Sequence, residues 1–182
     1  RSQRYRYGRD DPRSCRYGLR GDRAYFVRQD VLSQGHRTSR VRQKLKVVSL
    51  ASGSSGNAYC VETDAGAMLV DCGISCRQLV TRCDAVSIDP KSIVAVVFTH
   101  NHDDHIRGLA TFHSRFPQAE LYANMMTAEA IAAKTGVSED EFTVFENYQE
   151  FEAGPFSVLP FSVPHDVPDP VGFLVKAEGK AY

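Results

Sequence analysis

Three histidines and two aspartates crowd into six consecutive positions, His100, His102, Asp103, Asp104 and His105, in a chain of 182 residues that holds only six histidines. Imidazole nitrogen and carboxylate oxygen suit Zn²⁺, Mn²⁺ or Fe, and the lack of thiolate in the cluster argues against a closed structural zinc knot. On an extended chain, residues two apart project the same way, so His100 and His102 can converge on one ion. Asp104 and His105 fall where a strand gives way to a helix, and the change of period turns them toward a neighbouring position. The spacing predicts two adjacent metals. The plain alternative is a polar loop with helix-capping aspartates and solvated histidines. Against it stands the apolar strand that runs straight into the cluster, because open α/β sheets put their sites at such strand ends.

The elements that must position this cluster can be read around it. KVVSL, the turn GSSGN at 53–57, AYCVET and, after a turn at 64–66, AMLVD predict three strands of an antiparallel meander whose last strand ends in Asp71. Residues 74–83 read as a helix with Ile74, Leu79 and Val80 turned inward. Asp89 and Pro90 supply a cap and a first-turn proline before IVAVVF at 93–98, a continuous apolar run that predicts a buried central strand. After the cluster come a helix over 106–116 with Leu109, Phe112 and Phe116 on one side, a strand at 120–123, and a helix over 125–134 stopped by Gly136. A strand at 156–163 leads to His165 and a loop at 168–170, then a strand at 171–177 and a turn at 178–180. The alternation predicts an α/β (α+β) fold, and the chain ends inside a hairpin.

Other residues are expected to serve packing or solvent. Phe142, Phe145, Tyr148, Phe151, Phe156 and Phe161 read as core or edge packing rather than a base-stacking platform. Cys72 and Cys76 read as small buried residues rather than a redox or metal pair, and His113 and His36 as solvated.

Overall charge is zero, with 22 basic and 22 acidic side chains, but the balance is uneven along the chain. Residues 1–43 carry twelve Arg, no Lys and four Asp, a charge of +8, leaving −8 on residues 44–182. Residues 1–44 show no period of 2 or 3.6 and few aliphatics, so they are predicted to be a disordered Arg-rich segment preceding a single domain at 45–182. The favoured reading of that segment is a leader translated from upstream of the true start; an arginine arm for nucleic acid and a transit peptide are its functional readings. The chain begins at Arg rather than Met, which suggests a fragment or a conceptual translation. Five cysteines without repeated CxxC spacing point to a reducing cytosol and a cytoplasmic protein. No apolar run is long enough to cross a bilayer.

His100-x-His102-x-Asp104-His105 after an apolar strand, with Asp71 at the end of an earlier one, resembles the HxHxDH signature of the metallo-β-lactamase-fold hydrolases. SLASGSSGN at 49–57, DCGIS at 71–75, THNHDDHIRGL at 99–109 and HDVPDPVGF at 165–173 are similar to its YycJ/WalJ-like bacterial subgroup. The resemblance covers residues 46–182 and implies a four-layer αββα sandwich with its C-terminal part missing and the metals at one edge of the two sheets. It implies that His100, His102 and His165 bind a first divalent metal and that Asp104 and His105 hold a second, the metals being zinc or manganese, with iron as a further option. Asp71 would hydrogen-bond the metal loop to fix ligand orientation, and Asp104 would orient the attacking water. Family members draw a bridging Asp and a last His from beyond the strand near Val171, and this chain stops at Tyr182 without them. The implied activity is metal-assisted hydrolysis of a phosphodiester, with DNA as the leading substrate and partner in a DNA exonuclease-type reaction. An acyl-ester or thioester hydrolase on the same centre is the alternative enzyme, and a non-catalytic regulatory or binding module that keeps the fold is the alternative of another class. The acidic charge of residues 44–182 is unlike that of a nucleic-acid binder. The GSSGN turn either offers backbone N–H groups to a phosphate or is simply a turn.

Overall fold

Alternation of side chains along short strands, shifted between Ser49 and Ala51 and between Ala67 and Met68, gives the described residues two cores, one on each face of the larger sheet. The structure, a computed structural model, describes residues 25–27, 45–177 and 180–181. Seven strands lie side by side in chain order: β1 (Tyr25–Val27), β2 (Lys46–Ala51), β3 (Ala58–Thr63), β4 (Gly66–Val70), β5 (Ile93–Val97), β6 (Glu120–Ala123) and β7 (Phe142–Val144). Strands β1 to β4 pair antiparallel, including the predicted meander. Strands β4 to β7 pair parallel, which requires crossover connections. Helix α1 (Cys76–Ala85), the short helices α2 (Asp103–Ile106) and α3 (Leu109–Arg115), and α4 (Met125–Thr135) lie in those crossovers. The smaller sheet is antiparallel, built from β8 (Phe151–Ala153), β9 (Phe156–Ser162), β10 (Val171–Ala177) and β11 (Lys180–Ala181) in the order β11-β10-β9-β8.

Helix ends follow local chemistry. Ser75 and Gln78 form a capping box at the start of α1, and Gly136 ends α4 with φ 76°, a conformation glycine adopts without a Cβ penalty. Asp89 accepts from Lys91 N–H with Pro90 in the first turn, as predicted, although the turn is a 3-10 helix at Pro90–Ser92.

On one face of the larger sheet, Val48, Leu50, Cys60, Leu69, Val96 and Leu121 pack with Leu79, Phe112 and Ile131 of the helices. On the other, Val61, Met68, Ala95, Val97 and Tyr122 meet Phe156, Val158, Val171 and Val175 of the smaller sheet. Strand β5 therefore sends side chains into both cores, which is why its sequence is uniformly apolar. The layers are helix, sheet and sheet; among the described residues no helix covers the outer face of the smaller sheet. Among the described residues no helix is long and apolar enough to cross a membrane.

Four expectations change. The single helix predicted over 106–116 is two helices interrupted at Gly108, whose N–H donates to Cys72 O at 2.8 Å instead of continuing the helix. Strands β7 and β8 were not anticipated, since each has three residues and too short a pattern to show a period. Tyr148 and Phe161 are 66% and 41% exposed rather than packed, although Phe142, Phe145 and Phe156 are buried as expected. Finally, Tyr25–Val27 is an edge strand against β2 inside the segment predicted to be disordered; the rest of residues 1–44, including His36, lies outside the described residues.

Phe98, fully buried and edge-on to Phe142 at 6.0 Å, carries the helix-side core where β5 ends. In urea unfolding, Phe98→Ala is expected to cost about 3–5 kcal/mol. Val144→Ala on the same sheet, 44% exposed, is expected to cost under about 1 kcal/mol.

Candidate metal centre

Parallel strands share a direction, so the segments that follow β4 and β5 emerge at one edge of the sheet, Asp71 after β4 and residues 98–105 after β5. The smaller sheet reaches the same edge through residues 163–170 between β9 and β10, and Val171 N–H donates to Thr99 O at 3.0 Å. His100, His102 and His165 meet there. Each offers one ring nitrogen to a group whose atoms all lie within 4.8 Å of one another. The ring centroids are 4.8 Å apart for His100 and His102, 4.6 Å for His100 and His165, and 4.9 Å for His102 and His165.

Hydrogen bonding assigns the bare nitrogens. Thr99 Oγ1 lies 2.8 Å from Asp71 Oδ2, to which it donates, and 2.9 Å from His100 Nδ1. Its remaining lone pairs accept the His100 Nδ1 proton, which leaves His100 Nε2 as a lone pair. That atom is buried with no partner, in a residue only 5% exposed. Burial first, then the neighbouring His105, His165 and His102, hold His100 down to about 4, so its ring is neutral at ordinary pH. His165 Nδ1 lies 2.7 Å from Asp166 Oδ1, a carboxylate that fixes the proton there and frees the other nitrogen; the same oxygen is 3.6 Å from His102 Nε2. An orphaned buried imidazole nitrogen facing two more imidazoles fits a cation, and three histidines with an open side are the donor set of catalytic rather than structural zinc sites.

A second group adjoins the first. His105 lies 3.9 Å from His100 between ring centroids, and its Nδ1 is 2.7 Å from Asp71 Oδ2. Its Nε2 is 3.7 Å from Asp104 Oδ2. Burial pulls His105 down, but the hydrogen bond and charge of Asp71, with the charge of Asp104, outweigh it and hold the group above its ordinary value. Of the five predicted ligands, three converge closely and Asp104 and His105 form a pair beside them. Asn57 was not anticipated as part of the site. Its Nδ2 donates to Asp104 Oδ2 at 2.9 Å and lies 3.1 Å from His105 Nε2. Its place at the end of GSSGN reads as a turn residue, and only the fold brings it 47 residues along the chain to Asp104.

Three N–H groups of the GSSGN turn are committed to acceptors within the protein. Gly53 N–H donates to Asn57 Oδ1, Gly56 N–H to Gly53 O, and Asn57 N–H to Asp104 O, so the turn reading prevails over the phosphate cradle at these three positions. Cys72 N–H donates to His105 O at 2.7 Å, and Gly73 N–H to Asn57 O at 2.8 Å. The segments at 53–57, 71–74 and 100–108 are thus tied backbone to backbone. A Cβ on Gly73 would lie 1.6 Å from Asp104 O, and one on Gly108 would lie 1.9 Å from Ile74 O. Cys72 and Cys76 are buried free thiols, as expected, and burial pushes Cys72 well up. His113 is half-buried rather than solvated, with Nε2 3.3 Å from Glu141.

Fold and site together define a two-sheet α/β sandwich with a histidine cluster that could hold a metal ion at its strand ends. The sequence profile of the metallo-beta-lactamase superfamily matches residues 51–179, and the chain belongs to that superfamily. Exodeoxyribonuclease WalJ of Streptococcus pneumoniae is 29% identical over 136 residues, 73% of this chain and 50% of that protein. Exodeoxyribonuclease YycJ of Bacillus anthracis is 31% identical over 123 residues, 67% of this chain and 46% of that protein. The chain spans about half the length of these curated relatives. Among solved structures, Rm3 metallo-beta-lactamase superposes with a TM-score of 0.62 at 18% identity, covering 74% of this chain and 56% of that one, a likeness of fold.

Gly73→Ala and Gly108→Ala each drive a methyl into backbone that cannot yield. Each is expected to lose stability at or beyond the upper end of the ~1–3 kcal/mol typical of overpacking, measured by urea unfolding of the metal-free chain.

Proposed function

We propose that this chain is the metal-binding portion of a metal-dependent hydrolase that cleaves phosphodiester bonds, most specifically a DNA exonuclease, working in the cytoplasm. The observation that carries the reading is the partnerless, buried Nε2 of His100 facing His102 and His165. Nuclease chemistry, rather than lactam or thioester chemistry, is supported by the names of the relatives it resembles, two exodeoxyribonucleases.

His100, His102 and His165 would hold one divalent cation, and Asp104 with His105 would contribute to a second, zinc or manganese in both cases. Divalent cations there would supply Lewis acidity, easing deprotonation of water and neutralising charge on the attacked phosphoryl oxygen. The residues themselves do the rest. Asp71 holds protons on Thr99 Oγ1 and His105 Nδ1 and so keeps Nε2 lone pairs on His100 and His105 turned inward. Asn57 pins Asp104 Oδ2, which leaves the partly exposed carboxylate oriented to take a proton from an attacking water. Four buried free cysteines fit a reducing compartment.

The charge of −8 over residues 44–182 favours an acyl-ester or thioester substrate as the second reading, since a duplex prefers a basic face. Turnover of 5′-labelled DNA, a phosphodiester reporter and a thioester by the zinc- or manganese-loaded protein separates the two. DNA and the reporter are expected to be cleaved, with Asp104→Asn lowering turnover by about 10²-fold or more. Asp71→Asn is expected to weaken metal binding by about 10–100-fold. Thioester hydrolysis without phosphodiester cleavage would overturn the nuclease reading; wild-type metal binding by His100→Ala would overturn the metal centre.

A further inference from the structure

His165 is the ligand candidate that the larger sheet does not carry. It sits on residues 163–170, which form neither helix nor strand and join β9 to β10 of the smaller sheet. The neck of that loop is closed by Val163 N–H donating to Pro170 O at 3.1 Å, next to the Val171 N–H bond to Thr99 O. Asp169 beyond it is left-handed, with φ 50°. Both ends of Asp169 are held: Asn124 Nδ2 donates to its backbone carbonyl at 2.7 Å, and Asn147 Nδ2 donates to its Oδ1 at 2.6 Å.

Asn124 is the better placed of the two. It stands between β6 and α4, follows a strand of the larger sheet, and is only 3% exposed. Its Oδ1 caps α4 by accepting from Thr127 N–H at 2.9 Å. Capping alone is served as well by Ser or Asp as by Asn. Asp has no donor and the Ser hydroxyl has its proton on the capping atom itself, so only an amide presents a donor on a second atom, and that donor is what grips the loop. One side chain therefore spans from the strand layer that carries His100 and His102 to the loop that carries His165.

We infer that Asn124 is a positioning residue that sets His165 against His100 and His102 by clasping the Asp169 carbonyl. The inference rests on the reading of those three histidines as ligands of one cation. An unclasped loop keeps its neck but leaves the His165 ring free to swing away, so the cation loses one imidazole in three without any change to a ligand.

Asn124→Asp and Asn124→Ser keep an oxygen for Thr127 N–H; Asp has no donor, and Ser lacks the second atom that reaches the Asp169 carbonyl. Cobalt(II) is titrated into the full 182-residue chain and followed by visible absorption, for wild type, each variant, His165→Ala, and each variant combined with His165→Ala. Each Asn124 variant is expected to bind cobalt about 10–100-fold more weakly. In the His165→Ala background neither is expected to cost anything further, because the clasp then has no ring to place. Wild-type affinity in both Asn124 variants, or the same fold-loss with and without His165, overturns the inference while leaving the metal centre standing. Circular dichroism accompanies each titration, and collapse of both metal-free variants also overturns it, since Asn124 would then support the sheets rather than the ligand. Failure of the wild-type chain to bind cobalt removes the metal centre and this inference with it.

Discussion

A single buried carboxylate decides where the protons sit on two of the imidazoles of this site. Asp71, 2% exposed, takes the Thr99 N–H at 2.9 Å, the Thr99 hydroxyl, and His105 Nδ1 at 2.7 Å. A charge that deep is costly unless its oxygens are filled, and here they are. Because Thr99 donates to Asp71, it accepts from His100 Nδ1, and because His105 Nδ1 faces Asp71, its Nε2 points away. One carboxylate thus sets the inward nitrogens of two imidazoles in adjoining groups. Asp71 does this from a left-handed backbone, φ 62°, which Asp tolerates better than most residues and which turns the chain from the end of β4 under the metal loop.

The proton arrangement needs a rigid frame, and the frame is backbone. Three segments distant in sequence exchange N–H···O bonds at Asn57, Cys72, Gly73 and Gly108, at approaches that exclude a side chain on either glycine. The loop bearing His165 is built differently. It belongs to another sheet and is joined to the frame by the Val171 bond to Thr99 and by side-chain amides. One flank of the histidine cluster is thus held by backbone bonds between three segments, and the other by a single backbone bond to Thr99 and side-chain amides on Asp169.

Much of this was legible in the sequence because the period and composition of its strands are strong. The run at 93–98 is apolar without interruption, and its strand is buried on both faces. His100, His102 and His165 were recognisable from type, spacing and resemblance, and the fold brings them together across 65 residues of chain. What could not be read was set by tertiary contact. Helical periodicity continues smoothly from Ile106 to Phe112, and only the approach of Gly108 to Cys72 and Ile74 explains the break. Asn57 has the composition of a turn, and its contact with Asp104 and His105 depends on the antiparallel meander closing beside the metal loop. Three-residue strands such as β7 and β8 have no period to detect, and Tyr148 carries no local sign of its exposure.

The central claim is that imidazoles from two sheets share one cation. X-ray absorption at the zinc edge of the chain loaded with one equivalent of zinc addresses it directly. On that claim, three imidazole nitrogens at about 2.0–2.1 Å with one oxygen donor at a similar distance are expected, the imidazoles falling to two in His165→Ala. A coordination shell unchanged by loss of His165, or one built from sulfur, would contradict it.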